Sequence, residues 1–323
     1  MKKTSFYREL DTLVTSHGGY HNAHLHLDRA NTLTPGDVDH GRIQVLKNSH
    51  ISLQKKHALI ATVHAGPAYD EHNLQQRLTE ITDSLIDCGT RLADTMIDTC
   101  ADRSDLHVLE LFNAHAQSVA DQITLRAAAY TPFGFKDSQP EMWQTFERAA
   151  AIADFIGALP EADDIDDYPD HIGFEEHCVR VLDLAGREGK LLHVHTDQRN
   201  EPSERGTERL IEVMRREGWC ATDDSPQVWA VHMVSPSTYT ESRFKALLDG
   251  MLETGLGLIC CPSAAIGMRQ YRPIATPTYN SIPRVLELAA AGVPIRLGSD
   301  NVADMCSPST TADLTDEILV LSS

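Results

Sequence analysis

The feature that most constrains this chain is a regular alternation of short apolar runs with longer amphipathic stretches. Eight runs read as strands: Gly19–Leu27, Leu92–Thr99, Ile123–Tyr130, Ile152–Leu159, Leu191–His195, Val228–His232, Gly255–Cys260 and Ile295–Gly298. Between them, Leu74–Cys88, Leu106–Ala120, Glu141–Ala151, Phe174–Glu188, Gly206–Glu217, Ser242–Glu253 and Ile282–Ala291 carry apolar residues at helical spacing. In the last of these, Ile282, Val285, Leu286, Leu288 and Ala289 form a face expected to pack on a barrel exterior, and Ala312–Leu321 supplies an eighth helix. Strands alternating with helices in this way build parallel sheets from βα units. An open doubly wound sheet would also alternate, but a glycine-rich phosphate loop is then expected after the first strand, and none follows Leu27. Eight units suit a closed (β/α)8 TIM barrel, a fold that routinely reaches this length as one unit. The expected fold class is therefore α/β, with a barrel over residues 19–323 and a helical extension over residues 1–18. Phe6, Tyr7 and Leu10 in that extension are spaced to dock a helix over the barrel bottom.

Charge and cysteine usage exclude some functions. The net charge of -19 opposes binding to nucleic acid or to an anionic membrane, since phosphates would be repelled. Seven cysteines without a repeated spacing point to a reducing compartment rather than a disulfide framework. No apolar run reaches membrane-spanning length, and Met1–Thr12 lacks the apolar centre of a signal peptide. The chain reads as cytoplasmic. A homo-oligomer is compatible with the composition, but no interface is legible.

Chemistry concentrates at strand ends. In YHNAHLHLDR (Tyr20–Arg29), His24 and His26 are two apart, which places both rings on one face of a strand, with Asp28 continuing that face. In a barrel that face is the lumen, near the C-terminal rim where active sites form. Two imidazoles held together make half of a zinc- or iron-type site. LLHVHTDQ repeats the alternation with His193 and His195, either of which could be a ligand. His232 ends VWAVH, and Asp300 ends PIRLGSD with Asn301 after it. Four strands thus bring metal-type or catalytic-type residues to one rim.

This ordered set resembles the amidohydrolase superfamily, and within it the cytosine deaminase-like enzymes. The resemblance continues through CGTRLADTMIDTCAD (Cys88–Asp102), the GALP of Gly157–Pro160 and CPSAAIGMR (Cys261–Arg269). It implies one divalent ion, Zn or Fe with Mn as a further option, held by His24, His26, His195 and Asp300. His193 would then be structural. The implied reaction is attack of a metal-activated hydroxide on a C–N bond of a small heterocyclic amidine, most simply a deamination, with Asp300 as base and His232 stabilising the developing oxyanion. Binuclear relatives bridge two metals with a lysine ending the fourth strand, and Ala151–Pro160 contains none; a mononuclear site is implied.

Two departures bear on substrate. Gln198 stands where a proton-shuttling glutamate is usual, and an amide cannot donate and recover a proton, although it can bond a carbonyl or ring NH. Asp197, Glu201 or Asp300 would shuttle instead, or the leaving group needs less help. After the third strand, AYTPFG has no counterpart of the glutamine that reads a pyrimidine edge, which leaves Thr131 and Phe133 as the expected substrate contacts, with Asp197, Asn301 and Arg269 beside them. Arg269 has two readings, a partner for a substrate carboxylate or carbonyl, or a solvent-facing loop residue. An alternative function follows from Gln198: hydrolysis of an N-alkylamine or opening of a cyclic amide. A catalytically silent binding barrel is the third reading, and it predicts lost ligands that this sequence retains. The short flanks leave no room for most of the accessory β-sandwich found in related deaminases.

Overall fold

A computed structural model of the chain describes residues 4–33, 53–221, 225–267 and 282–322. Eight parallel strands follow one another in chain order: β1 (Tyr20–Leu25), β2 (Thr90–Asp98), β3 (Thr124–Tyr130), β4 (Phe155–Ala158), β5 (Leu192–Thr196), β6 (Val228–His232), β7 (Gly257–Cys260) and β8 (Ile295–Leu297). Every residue of β4 to β7 is buried, as expected for strands covered by helices outside and by lumen side chains inside. The ring is drawn together between β1 and the end of β8. Leu25 bridges Asp300, and Asn22 exchanges hydrogen bonds with Ser299, donating to its Oγ at 2.9 Å and accepting its N–H at 3.1 Å. The result is a (β/α)8 barrel, and among the described residues every strand belongs to this one sheet.

Between the strands lie α2 (Leu53–His64), α3 (Glu71–Asp87), α4 (Leu106–Ser118), α5 (Pro140–Ile152), α6 (Phe174–Glu188), α7 (Gly206–Arg216), α8 (Glu241–Thr254), α9 (Pro262–Gly267) and α10 (Val285–Ala290), with α11 (Leu314–Leu321) last. Their apolar faces pack on the outside of the sheet; α6, for example, buries Phe174, Val181, Leu182 and Ala185 and ends at Gly189 in the left-handed conformation that suits glycine. Inside, Trp229, Val231 and Ile259 fill one layer. Gly257 makes that layer possible, because a Cβ there would lie 2.5 Å from the Trp229 ring.

Four sequence expectations are corrected. The N-terminal helix, α1 (Ser5–Ser16), forms but buries none of its residues; Phe6 stays 55% and Leu13 57% exposed. The last long helix is confined to Val285–Ala290, and Leu286, expected to face the barrel, is 83% exposed. β4 begins at Phe155 rather than Ile152 because α5 runs on through Ile152. The helix α2 was not anticipated at all. All seven cysteines are free, and no helix among the described residues is long and apolar enough to cross a membrane.

Candidate metal centre

His24 near the end of β1 and His26, one residue past it, keep the two-residue spacing that brings both rings to the cluster, their ring centres 5.2 Å apart. β5 adds His195, whose Nε2 lies 3.1 Å from His24 Nε2, and β6 ends in His232, with its ring centre 5.7 Å from that of His24. Past β8, Asp300 places Oδ1 3.2 Å from His26 Nε2 and 3.5 Å from His24 Nε2, while its Oδ2 lies 3.9 Å from His232 Nε2. One ligand atom each from His24, His195 and His232 falls within a 4.8 Å sphere of mutual distances, and so does one from each of His24, His26 and Asp300. All five residues are buried. His232 and Asp300 both adopt positive φ, 76° and 62°, uncommon for non-glycine residues and characteristic of strained functional positions.

The protonation states suit a cation. His195 Nδ1 donates to the Ala158 carbonyl at 2.9 Å, which leaves Nε2 as a lone pair facing His24. Arg29 Nη2 lies against His26 Nδ1. Burial lowers His26 to about 3 and His232 to about 4, and lowers His195 well below the usual histidine range, so these rings are neutral. Burial alone would raise Asp300, but hydrogen bonds to His24 and His26 and the nearby His232 and His26 rings hold it well below the usual carboxylate range. Neutral imidazoles around one carboxylate are the donor set of a zinc- or iron-type site, and these residues fit a divalent ion. His24 and His232 each keep a buried Nδ1 without a hydrogen-bond partner among the described residues.

A small cavity of about 20 Å³ adjoins this cluster, walled by His26, Tyr130, His195, Gln198, His232 and Asp300 and lined further by Arg29, His57, Asn301, Cys306 and Ser307. That volume holds a water or an ion; a six-membered ring requires side chains of the wall to move. A larger cleft of about 500 Å³ opens at the other end of the barrel, beside Trp219, Gln227 and Pro294. Among the described residues it carries no cluster of titratable groups.

The chain matches no family model. It is similar to 5-methylcytosine deaminase from Klebsiella pneumoniae, with 26% identity and a TM-score of 0.77 over 94% of this chain and 67% of that one. Its barrel also superimposes on N-isopropylammelide isopropylaminohydrolase from Burkholderia multivorans, with 20% identity, a TM-score of 0.68 and the same coverage of 94% and 67%. In sequence it is 23% identical over 216 residues to a pterin deaminase of Rhizobium rhizogenes, matching 67% of this chain and about half, 46%, of that protein. The fold, the rim cluster and these likenesses agree. The chain is a member of the amidohydrolase superfamily.

The remaining expected residues of this amidohydrolase fall into three groups. Gln198 and Asn301 reach the cavity wall, and Asn301 Nδ2 donates to Asp300 Oδ1 at 3.1 Å. Thr131, Phe133 and Asp197 do not line it. Thr131 turns to Cys100 and to the Phe133 N–H, Phe133 meets His64 edge to face with ring centres 5.6 Å apart, and Tyr130 takes the wall position instead. The Asp197 carboxylate caps α7, accepting from Gly206 N at 2.6 Å and Thr207 N at 2.9 Å. Arg269 lies outside the described residues. His193 is buried against Phe155, and neither ring nitrogen has a hydrogen-bond partner among the described residues. Lys136 is drawn to Asp170 at 2.6 Å, and β4 offers no lysine to bridge a second ion.

Sequence reasoning missed several groups that the fold delivers from helices and loops. His57 on α2 borders the cavity, and burial with the Arg29 charge lowers it to about 4. His64, at the end of α2, bonds Asp98 through Nε2 at 2.9 Å and Asp102 through Nδ1 at 2.8 Å. Burial opposes its charge, but these two carboxylates prevail and raise it to about 9. Its two nitrogens are thus spoken for, although His64, Cys100 and Asp102 also fall within ligand spacing. Glu161, after β4, is the third miss: burial and the Asp197 charge raise it to about 7. The only sequence signal was its place after Pro160 at a strand end.

Proposed function

We propose that this amidohydrolase is a mononuclear metal-dependent hydrolase that cleaves a C–N bond of a small heterocyclic amidine and releases ammonia. The observation that carries this reading is the convergence of strand-end residues on His24, which lies within ligand spacing of His195 and His232 on one side and of His26 and Asp300 on the other. His24, His26, His195 and Asp300 hold the ion, which is Zn or Fe by donor type. When bound, the ion supplies Lewis-acid activation of a water. Asp300 Oδ2, the oxygen turned toward His232, accepts the proton from the attacking water and returns it to the departing nitrogen, so that the C–N bond breaks with neutral ammonia as the leaving group. Neutral His232 donates an N–H to the oxygen-bearing side of the tetrahedral carbon, because its low proton affinity keeps it from competing as a base. Gln198 and Asn301 hold the heterocycle at the wall, and burial of the whole cluster excludes bulk water. The likeness to 5-methylcytosine deaminase and pterin deaminase supports ammonia as the leaving group.

Gln198 favours a second reading, loss of an N-alkylamine or opening of a cyclic amide, since no ionisable group occupies the shuttle position. Metal-loaded protein assayed against a panel of amino-, alkylamino- and cyclic-amide heterocycles separates them. Ammonia from amino-heterocycles upholds the first; amine release or ring opening alone replaces it with the second.

A further inference from the structure

Glu161 joins the β4 and β5 ends. Its Oε1 accepts the Asp197 backbone N–H at 2.6 Å, and its Oε2 accepts the Gln198 side-chain Nε2 at 3.0 Å. Ionised Glu161 offers only acceptors, and in that state the Gln198 amide turns its NH2 toward Glu161 and its carbonyl away. Gln198 borders the cavity, Glu161 does not, and among the described residues no donor reaches Gln198 Oε1. The backbone beneath is fixed. Asp197 sits at φ 58°, its side chain caps α7, and its carbonyl accepts from Val234 N at 2.9 Å and Ser235 N at 3.0 Å. With the main chain locked on both sides, the remaining freedom at Gln198 is the rotation of its side chain, and Glu161 sets it.

We propose that Glu161 is a positioning residue that fixes Gln198 as a hydrogen-bond acceptor, so that the pocket selects heterocycles presenting an N–H at that edge. A lactam N–H or an exocyclic amino group meets this requirement; a bare ring nitrogen meets another lone pair. The pocket therefore reads the substrate as a donor where a glutamic acid at the same place would read it as an acceptor. The carboxyl absent from position 198 is thus present one strand away, acting through the amide rather than on the substrate. Because two lone pairs then face each other in a dry site, the wrong tautomer loses a bond and gains a repulsion.

This inference rests on the reading of the cavity as a heterocycle site, and its test separates the two. Binding of pyrimidinone (an N–H donor) and of methoxypyrimidine (a bare ring nitrogen) is measured by calorimetry on the metal-loaded protein. The wild type is expected to prefer pyrimidinone by roughly tenfold or more, as a site built to bond an N–H does. Glu161→Gln lets either end of the Gln198 amide face the pocket and brings the ratio toward one, with metal content unchanged. Glu161→Asp restores part of the preference. Gln198→Met, which leaves Glu161 bonded to Asp197, also abolishes it and serves should Glu161→Gln fold poorly. An unchanged ratio in Glu161→Gln or Gln198→Met, or no preference in the wild type, overturns the inference. Ammonia release is scored separately: selective binding without turnover removes the hydrolase reading and leaves the role of Glu161 standing.

Discussion

The backbone N–H of Asp300 donates to the carbonyl of His24 at 2.8 Å, while the Asp300 carboxylate faces the His24 and His26 rings. The seam that closes the barrel and the centre of the site are therefore the same contact. Barrel closure uses the main chain of Asp300, and the proposed chemistry uses its side chain. That separation makes the two roles independently testable.

Asp300→Asn removes the carboxylate and keeps the backbone bond to His24. Turnover is expected to fall by about a thousandfold or more, since ligand and base are lost together. Circular dichroism and gel filtration should match the wild type. Near-normal activity in this variant would show that another group is the base.

Gly298 is tighter still. A Cβ there would lie 2.7 Å from the His24 Cβ and 2.8 Å from its backbone N and O. Gly298→Ala should cost about 1–3 kcal/mol of stability, the usual range for overpacking, and lower metal occupancy by shifting His24. Denaturant melts with metal analysis read both; a variant as stable as wild type with full occupancy contradicts the close approach.

Metal analysis of freshly purified protein is expected to give about one ion per chain, consistent with the mononuclear donor set. Chelation should abolish turnover and lower Tm by several degrees, because an ion bound only by the folded state stabilises it, by about 4 kcal/mol at a thousandfold excess over Kd. Zinc or iron should restore both. Two ions per chain would contradict the absence of a bridging lysine at β4.

His64 links α2 to β2 through Asp98 and Asp102. Its folded pKa of about 9 stands above the ordinary 6.5. The stability it contributes is fully present below pH 6.5 and disappears as pH rises through 9. The contribution is roughly 3 kcal/mol, from the linkage of proton affinity to folding. Thermal melts from neutral to alkaline pH should fall over that window, and His64→Gln should flatten the fall. A wild-type melting temperature constant through that range would show that the ring is not charged at neutral pH.

Much of this architecture was legible in one dimension, because strand and helix periods are local. The period of two in HLHLD is enough to put His24 and His26 on a shared face, and the runs ending in His232 and Asp300 carry their residues to the same rim of any eight-stranded parallel barrel. Tertiary structure decided what surrounds them. The Asp197 side chain shares the strand end with His195 yet turns to cap α7, since two free N–H groups at a helix start outcompete the cavity for a carboxylate. Thr131 lost the wall to Tyr130, its neighbour on the opposite face of the chain. His57, His64 and Glu161 arrive from a helix and a loop whose positions depend on packing against distant elements. His64 meets Asp98 and Asp102 across more than thirty residues, and Glu161 meets Gln198 across a similar gap. No local pattern records such distances. By itself the sequence determined the strand faces, and with them the residues of the candidate metal site, because side-chain alternation follows from backbone geometry alone. The walls of the cavity and the orientation of Gln198 were decided only when separate segments packed together, because hydrogen bonds between them exist in no segment on its own.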